Sequence, residues 1–474
     1  MRTVARHFID GVWISSDGGQ EYTVIDPSTN SGCTRSLLGT ARDVEKAVVA
    51  ARAAQPAFAR WSVADRLALL VAIREGLQAR TADIAASITD EIGCPITLSR
   101  TAQLSAGCDQ FDGMAEVLAT FAFEQSERDA LIVHEPIGVV GMITPWNWPL
   151  NQIGAKVAAA LAAGNACILK PSEECPTNAA ILADIIAEAG APPGIFNLVL
   201  GDGAGVGAAL ASAPGVDMIS FTGSTRAGIA IAQAAAATVK RVHQELGGKT
   251  PNIIIEGADL EAVMPGSMYG IFCNSGQSCI APTRILVHRS QHAEAARLAG
   301  EIAAATRVGD PREEGDHIGP VVNERQWLHI QKLIAGAERQ GATLVAGGTG
   351  RPHHFATGCY VRPTVFSGVD NDMAIAREEV FGPVATLIPY DDDEDAIRIA
   401  NDSVYGLSAS VSGPPAEARR FVRRLHAGSV VINGWAPPSC FPFGGYKQSG
   451  NGREGGVQGL RDFCEVKTIH GLTD

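Results

Sequence analysis

From residue 139 onward the chain alternates short apolar runs with longer helical stretches joined by brief connections, and this pattern restricts its possible folds most. Runs at 139–143, 166–169, 196–200 and 218–221 predict strands, and the stretches at 150–163, 178–189, 205–211 and 227–237 predict helices. A strand followed by a helix and a further strand makes a parallel pair with a helical crossover. Repeated units therefore build a parallel sheet covered on both faces, a doubly wound α/β arrangement. A second series begins near 252–255 and runs to about 432, with helical patterns at 294–304, 324–339 and 394–401 and strands at 285–287 and 430–432. Two α/β domains in succession is the economical reading. The 474 residues leave room for a third unit on the prior of ~150 residues per domain.

Before residue 119 the chain reads as mostly helical, with patterns at 44–54, 64–80 and 81–92 after a hairpin-like start at 8–25. The apolar run 130–134, preceded by Glu127-Arg128-Asp129, is either an extended arm or an edge strand. After Gly444 the tail is rich in glycine and shows no core-like helix.

Composition removes several functional classes. Lys and Arg number 38 against 51 Asp and Glu, a formal charge of −13, and no basic run occurs. Nucleic acid and anionic membrane surfaces are therefore not expected partners. The uncharged stretch 136–155 contains Pro136, Pro145 and Pro149, which suit strand and turn and not a membrane span. The ten cysteines are scattered without a CxxC pair, so neither a disulfide framework nor a metal site is expected. The N-terminus lacks an apolar signal core and carries Asp10, and the expectation is a cytoplasmic protein.

Five local patterns could carry chemistry, and each also has an inert reading. Cys279 follows Asn274-Ser275-Gly276-Gln277-Ser278, a turn that could expose the thiol and hold its thiolate with backbone amides. It could equally be a packed small hydrophobe. Glu245, in Glu245-Leu246-Gly247-Gly248-Lys249 after the strand-like run 238–243, is placed where α/β sheets bind ligands. It could be a general base if burial raises its pKa, or a solvated acid. Phe221-Thr222-Gly223-Ser224 could cradle an anion at a helix start, or be a capped turn; it is not the GxGxxG fingerprint, and nor is the glycine run 201–207. Lys170-Pro171-Ser172-Glu173 could hold a ribose diol, its acid repelling a 2′-phosphate, or form a surface ion pair. In Thr144-Pro145-Trp146-Asn147-Trp148-Pro149, the Asn147 amide could donate to an oxyanion, or the segment could be a rigid aromatic turn.

Carrying all five in this order, with Glu378-Glu379-Val380-Phe381-Gly382-Pro383 and Pro442-Phe443-Gly444-Gly445-Tyr446-Lys447-Gln448-Ser449-Gly450, the chain resembles the aldehyde dehydrogenase superfamily over essentially its whole length. The resemblance implies a Rossmann-like cofactor domain (1–118 and 137–247), an α/β catalytic domain (248–448) and a small β oligomerisation element (119–136 and 449–474). It implies Cys279 as nucleophile, Asn147 and the Cys279 amide as oxyanion donors, Glu245 as the base that activates water, and Lys156 as a further catalytic residue. NAD is the implied cofactor, with NADP as the alternative. Its implied site comprises Ile143, Thr144, Trp146, Lys170, Ser172, Glu173, Gly203, Gly207, Gly223, Ser224, Leu246, Glu379 and Phe381. For the substrate pocket the resemblance points to Trp148, Gln152, Ala155, Cys273, Trp435 and Phe441. Ala155 and Cys273 stand where relatives often carry aromatics, which widens the tunnel toward a medium or aromatic aldehyde. The presence of Glu245 favours water as acyl acceptor over coenzyme A. The intact set Cys279, Glu245 and Asn147 argues against a non-catalytic structural member, such as the lens crystallins of this superfamily. A homodimer or homotetramer is also implied.

Overall fold

The computed structural model describes residues 1–438 and 440–471. The first expected strand series forms the centre of an eight-stranded sheet. Val139–Ile143, Ala166–Lys170, Phe196–Leu198, Met218–Thr222 and Arg241–Glu245 all run parallel. The first four are buried at every residue, which is why they read as continuous apolar runs and not as alternating ones. Val139–Ile143 lies centrally. The chain extends the sheet on one side through Ala166–Lys170 and Phe196–Leu198, then returns to build the other side with Met218–Thr222 and Arg241–Glu245. That reversal opens a crevice at the carboxyl ends of Val139–Ile143 and Met218–Thr222, where open α/β sheets hold ligands.

The helix Pro149–Ala163 starts on a proline that pre-sets its first turn and stops at Gly164, whose φ of +91° suits glycine. Its alanines and Gly154 let it pack closely on the helix Leu104–Thr120: a Cβ on Gly154 would stand 3.1 Å from the Gly107 carbonyl oxygen. Two details differ from the sequence expectation on this side. The strand reaches Glu245 as its last residue, while Ala236–Thr238 is a single 3₁₀ turn. The expected helix 205–211 is a π turn, Gly203–Gly207, followed by the helix Ala208–Ser212. The hairpin-like start divides: His7–Ile9 and Val12–Ile14 close one edge of the large sheet, while Gln20–Asp26 pairs with Ser31–Leu38 in a separate three-stranded sheet.

The second series forms a seven-stranded sheet in which Thr364–Ser367, Val384–Tyr390, Arg284–His288, Pro251–Ile254, Ser408–Ser412 and Ser429–Ile432 are parallel and Thr343–Ala346 is an antiparallel edge. The run 130–134 becomes the central strand, Ala130–Pro136, of a small antiparallel sheet between Glu124–Glu127 and Cys464–His470. The expected unit 449–474 therefore divides. Only Cys464–His470 joins the arm, whereas Gly450–Asn451 adds an edge to the eight-stranded sheet. Between them, the helix Gly456–Asp462 brings a fully buried Leu460 into the core, followed by a fully buried Phe463. This corrects the expectation of a tail without a core helix. The element is short, and its four residues before Leu460 include two glycines, so no helical periodicity could be read.

Candidate active site

Asn147 sits where Val139–Ile143 ends and Pro149 begins a helix, a turn fixed by the two prolines that flank it. The side chain is buried, and its Nδ2 donates to the Gln277 carbonyl at 3.0 Å. Its own carbonyl accepts from Asn274 Nδ2 at 2.8 Å and from Gln103 Nε2 at 3.2 Å. One Nδ2 hydrogen remains for another acceptor.

Asn274, Ser275 and Gly276 have φ of +52°, +57° and +75°, three successive left-handed residues between the helix Leu260–Phe272 and Cys279. Non-glycine residues there cost of order 1–2 kcal/mol each, so distant partners must hold them. Asn274 is tied to Asn147, Ser275 Oγ donates to the Gly319 carbonyl at 2.8 Å, and Gln277 Oε1 accepts from the Val322 amide at 2.9 Å. Gly276 is required twice over: besides its φ, a Cβ would fall 2.1 Å from the Gly382 carbonyl oxygen. The loop delivers Cys279 against Gly248, where a Cβ would stand 2.4 Å from the Cys279 carbonyl oxygen.

Sequence reasoning allowed an exposed thiol with a stabilised thiolate at Cys279. In the structure Cys279 is partly exposed, but the thiolate is not stabilised: desolvation pushes the thiol up, and the nearby Glu379 and Glu245 carboxylates push it further. Glu245 is 2% exposed, and neither carboxylate oxygen has a hydrogen-bond partner. Burial, then the charge of Glu454, raises its pKa well above the usual carboxylate range, while Lys156 opposes that rise. Lys156, fully buried, is ion-paired with Glu454.

The residues expected around the cofactor gather at the crevice of the large sheet. A Cβ on Gly207 would lie 3.9 Å from both Ile143 and Lys170, so these three converge. Lys170 Nζ is 3.0 Å from Glu173 Oε2. Ser172 and Leu246 are buried nearby in the chain, and Gly223 leads to Ser224, which caps the helix Thr225–Ala235 by accepting from the Ala227 amide at 3.3 Å. Trp146 and Phe381 meet edge to face at 5.4 Å. Glu379 accepts from the Gly248 amide at 3.0 Å, and burial raises its pKa to about 7. Two observations suit a bound dinucleotide here: the buried Thr144 Oγ1 has no partner, and a Cβ at Gly203 would meet nothing within 4 Å.

Cys279 opens into a cavity of about 390 Å³, whose walls include Trp148, Gln152, Ala155 and Trp435 as expected. Cys273 and Phe441 do not line it. Cys273 is buried at the end of Leu260–Phe272, and Phe441 is 59% exposed; Phe443, two residues on, lines the wall instead. Sequence reasoning missed Asp109, Gln110 and Glu454 as lining residues. The first two belong to a face that begins with Ala102, Ser105 and Ala106, and that helical spacing of small and polar residues is the signal that could have found them.

Residues 13–469 match the aldehyde dehydrogenase family. The chain is 47% identical over 473 residues, 99% of each chain, to 3-succinoylsemialdehyde-pyridine dehydrogenase from a Pseudomonas species. Its structure superposes with a TM-score of 0.97 on a variant of aldehyde dehydrogenase C from Pseudomonas syringae, solved with NAD+ and octanal, at 45% identity and covering 99% of this chain and 98% of that one. With an NAD+ complex of a Mycobacterium tuberculosis aldehyde dehydrogenase the TM-score is 0.96, at 36% identity and full coverage of both chains. This chain belongs to the aldehyde dehydrogenase family and is an oxidoreductase acting on the aldehyde group. Among the described residues no helix is long and apolar enough to cross a membrane.

Proposed function

We propose that the chain oxidises an aldehyde to the free acid with NAD, through a thiohemiacetal and then a thioester on Cys279. The observation that carries this reading is the unpartnered, buried Glu245 carboxylate, whose charge reaches the partly exposed Cys279 thiol at the head of a cavity. Glu245, its pKa raised, is a competent acceptor for the thiol proton as the sulfur attacks the aldehyde carbon. The free Asn147 amide hydrogen and the Cys279 N–H stabilise the oxyanion that forms. NAD, when bound, supplies the acceptor for the hydride that leaves the thiohemiacetal carbon. Glu245 releases the thiol proton to solvent and then takes a proton from water; the resulting hydroxide attacks the thioester carbon, and the C–S bond breaks as that proton passes back to the Cys279 sulfur and the acid is released. Lys156 is held by Glu454 and lessens the cost of ionising Glu245.

Lys170, Glu173, Ser172 and Ser224 would hold the adenosine end of NAD, and Glu379 with Phe381 and Trp146 the nicotinamide end. Glu173 disfavours a 2′-phosphate by repulsion, so NAD is preferred over NADP. The cavity presents Trp148, Trp435 and Phe443 and, among the described residues, no Lys or Arg. It therefore suits a medium or aromatic aldehyde better than one ending in a carboxylate. That agrees with the octanal of one structural relative and the pyridine compound in the name of another. The exposed sheet of Glu124–Glu127, Ala130–Pro136 and Cys464–His470, with Val466 62% exposed, is the surface through which a homodimer or homotetramer would form. All ten cysteines are free thiols, which fits a reducing, cytoplasmic setting.

The test is NAD reduction with aliphatic, aromatic and semialdehyde substrates, using Cys279→Ala as control. Turnover with the larger apolar aldehydes that falls at least about 10⁴-fold in the variant, with NAD binding retained, is the expected result. Equal turnover by the variant, or faster formation of acyl-coenzyme A than of free acid, sinks the reading.

A further inference from the structure

Among the buried groups around Glu245 is one titratable side chain that the reaction above leaves unused. His243 lies two residues before Glu245 on Arg241–Glu245, so both side chains leave the same face of the strand. The ring is 2% exposed, and neither nitrogen has a hydrogen-bond partner. Both Glu245 oxygens share that condition, and buried polar atoms are seldom left unpaired side by side. Nε2 stands 3.5 Å from Glu245 Oε1, a gap that a small rotation of either side chain closes. Nδ1 stands 3.9 Å from Asp462 Oδ2, beyond hydrogen-bond reach. The space is kept open by Gly452, φ +81°, where a Cβ would fall 2.7 Å from the ring.

We propose that His243, as its Nε2–H tautomer, donates a hydrogen bond to the Glu245 carboxylate and so sets the pH at which that residue becomes a base. This rests on the reading of Glu245 as the general base. The charged and titratable groups facing the pair are Lys156 from the helix Pro149–Ala163, Arg453, Glu454 and Asp462 from the tail, and Cys279 from its loop. Burial, with Lys156 and Arg453, takes the imidazolium down to about 3, so the ring is a neutral donor throughout the working range and does not titrate with its neighbour. A neutral imidazole has one N–H to give. Asp462 already accepts from the Arg453 amide at 2.6 Å and is a third exposed, whereas Glu245 has no other donor. A donor to the ionised form lowers the pKa of a carboxyl that burial and Glu454 both push up. The opposite tautomer would leave Nε2 as a bare acceptor beside Glu245 and hold that carboxyl protonated.

The experiment compares His243→Met, which keeps bulk without a donor, with His243→Gln, which keeps one. Pre-steady-state NADH formation and the pH dependence of steady-state kcat are read under conditions where thioester hydrolysis limits turnover. His243→Met is expected to move the acid limb of kcat up by about one pH unit, a roughly tenfold loss below the limb. The NADH burst amplitude persists, and His243→Gln stays close to the parent limb. An unchanged limb in His243→Met, or a downward shift, overturns the proposal. Neutron diffraction of the unaltered protein is a second, mutation-free check: hydrogen on Nε2 supports the proposal, and hydrogen on Nδ1 alone overturns it. Glu245→Gln separates the two levels. If that variant hydrolyses the thioester at the parent rate, the general-base reading falls and this inference with it. If it is impaired while His243→Met is not, only this inference falls.

Discussion

On the cofactor side of the cleft the implicated residues stand at the ends of buried parallel strands or in the turns that follow: Ile143 and Thr144, Lys170 and Glu173, Gly223 and Ser224. On the nucleophile side Cys279 hangs from a loop with three successive left-handed residues, braced by Asn147, Gly319 and Val322 from distant parts of the chain. The first arrangement needs only the sheet topology, which brings any strand end to the crevice. The second stores strain locally and depends on tertiary partners to hold it. Substitutions should therefore be tolerated unequally on the two sides.

The largest expected difference is between two glycines. Gly276→Ala places a Cβ 2.1 Å from a backbone oxygen at a φ of +75°, and should cost about 1–3 kcal/mol with loss of nearly all activity. Gly203→Ala meets nothing within 4 Å and should cost under about 1 kcal/mol of stability, its effect on activity confined to weaker NAD binding. Thermal melts with NADH assays compare them, and equal losses would break the contrast between braced loop and strand-end cradle. Next, Glu245→Gln should slow the NADH burst, since the thiol loses its proton acceptor, and slow steady turnover by roughly 10²–10⁴-fold, since thioester hydrolysis loses its base. Stopped-flow measurement showing an unchanged burst rate would confine the role of Glu245 to thioester hydrolysis.

Asn147→Ala should lower kcat by roughly 10²–10³-fold, as removal of an oxyanion donor does, and should also lower Tm because the buried side-chain bond to the Gln277 carbonyl is lost. The bond that braces Asn274 uses the Asn147 backbone carbonyl, so Asn147→Asp tests the amide with the main chain unchanged. The pH dependence of stability sharpens the comparison further. Glu245 has a folded-state pKa above its unfolded one, so its contribution is fully present below about pH 4.5 and is lost as pH rises toward the folded value. Glu245→Gln should therefore raise Tm more at pH 8 than at pH 5; a larger gain at pH 5 would contradict the buried carboxyl. The smallest expected effect is on the tolerant side. Glu173→Gln should improve the efficiency with NADP relative to NAD by roughly fivefold, the worth of about 1 kcal/mol of repulsion at a partly exposed site.

Legibility in the sequence followed the same division. The strands Val139–Ile143, Ala166–Lys170 and Met218–Thr222 were readable because burial on both faces makes them unbroken apolar runs. Thr364–Ser367 and Ser408–Ser412, equally internal to their sheet, went unread because threonine and serine interrupt any apolar signal. Asp109 and Gln110 lie on a helix far in sequence from every motif and reach the cavity only because Leu104–Thr120 packs on Pro149–Ala163. Phe441 and Phe443 are indistinguishable by type, and only the fold of the segment decides which one faces the cavity.

By itself the sequence determined the parallel α/β architecture, the family, and the residues whose types the chemistry demands: a thiol, a carboxylate and an amide at fixed places in recognisable turns. Their electrostatic states were decided by the tertiary structure. The thiol of Cys279 and the carboxyl of Glu245 are both raised because burial removes the water that would stabilise their charged forms. It also decided that the glycine-rich tail returns to the core, setting Glu454 on Lys156 and Leu460 in the interior. Such contacts join residues hundreds of positions apart, and no local pattern in the chain encodes a distance across the fold.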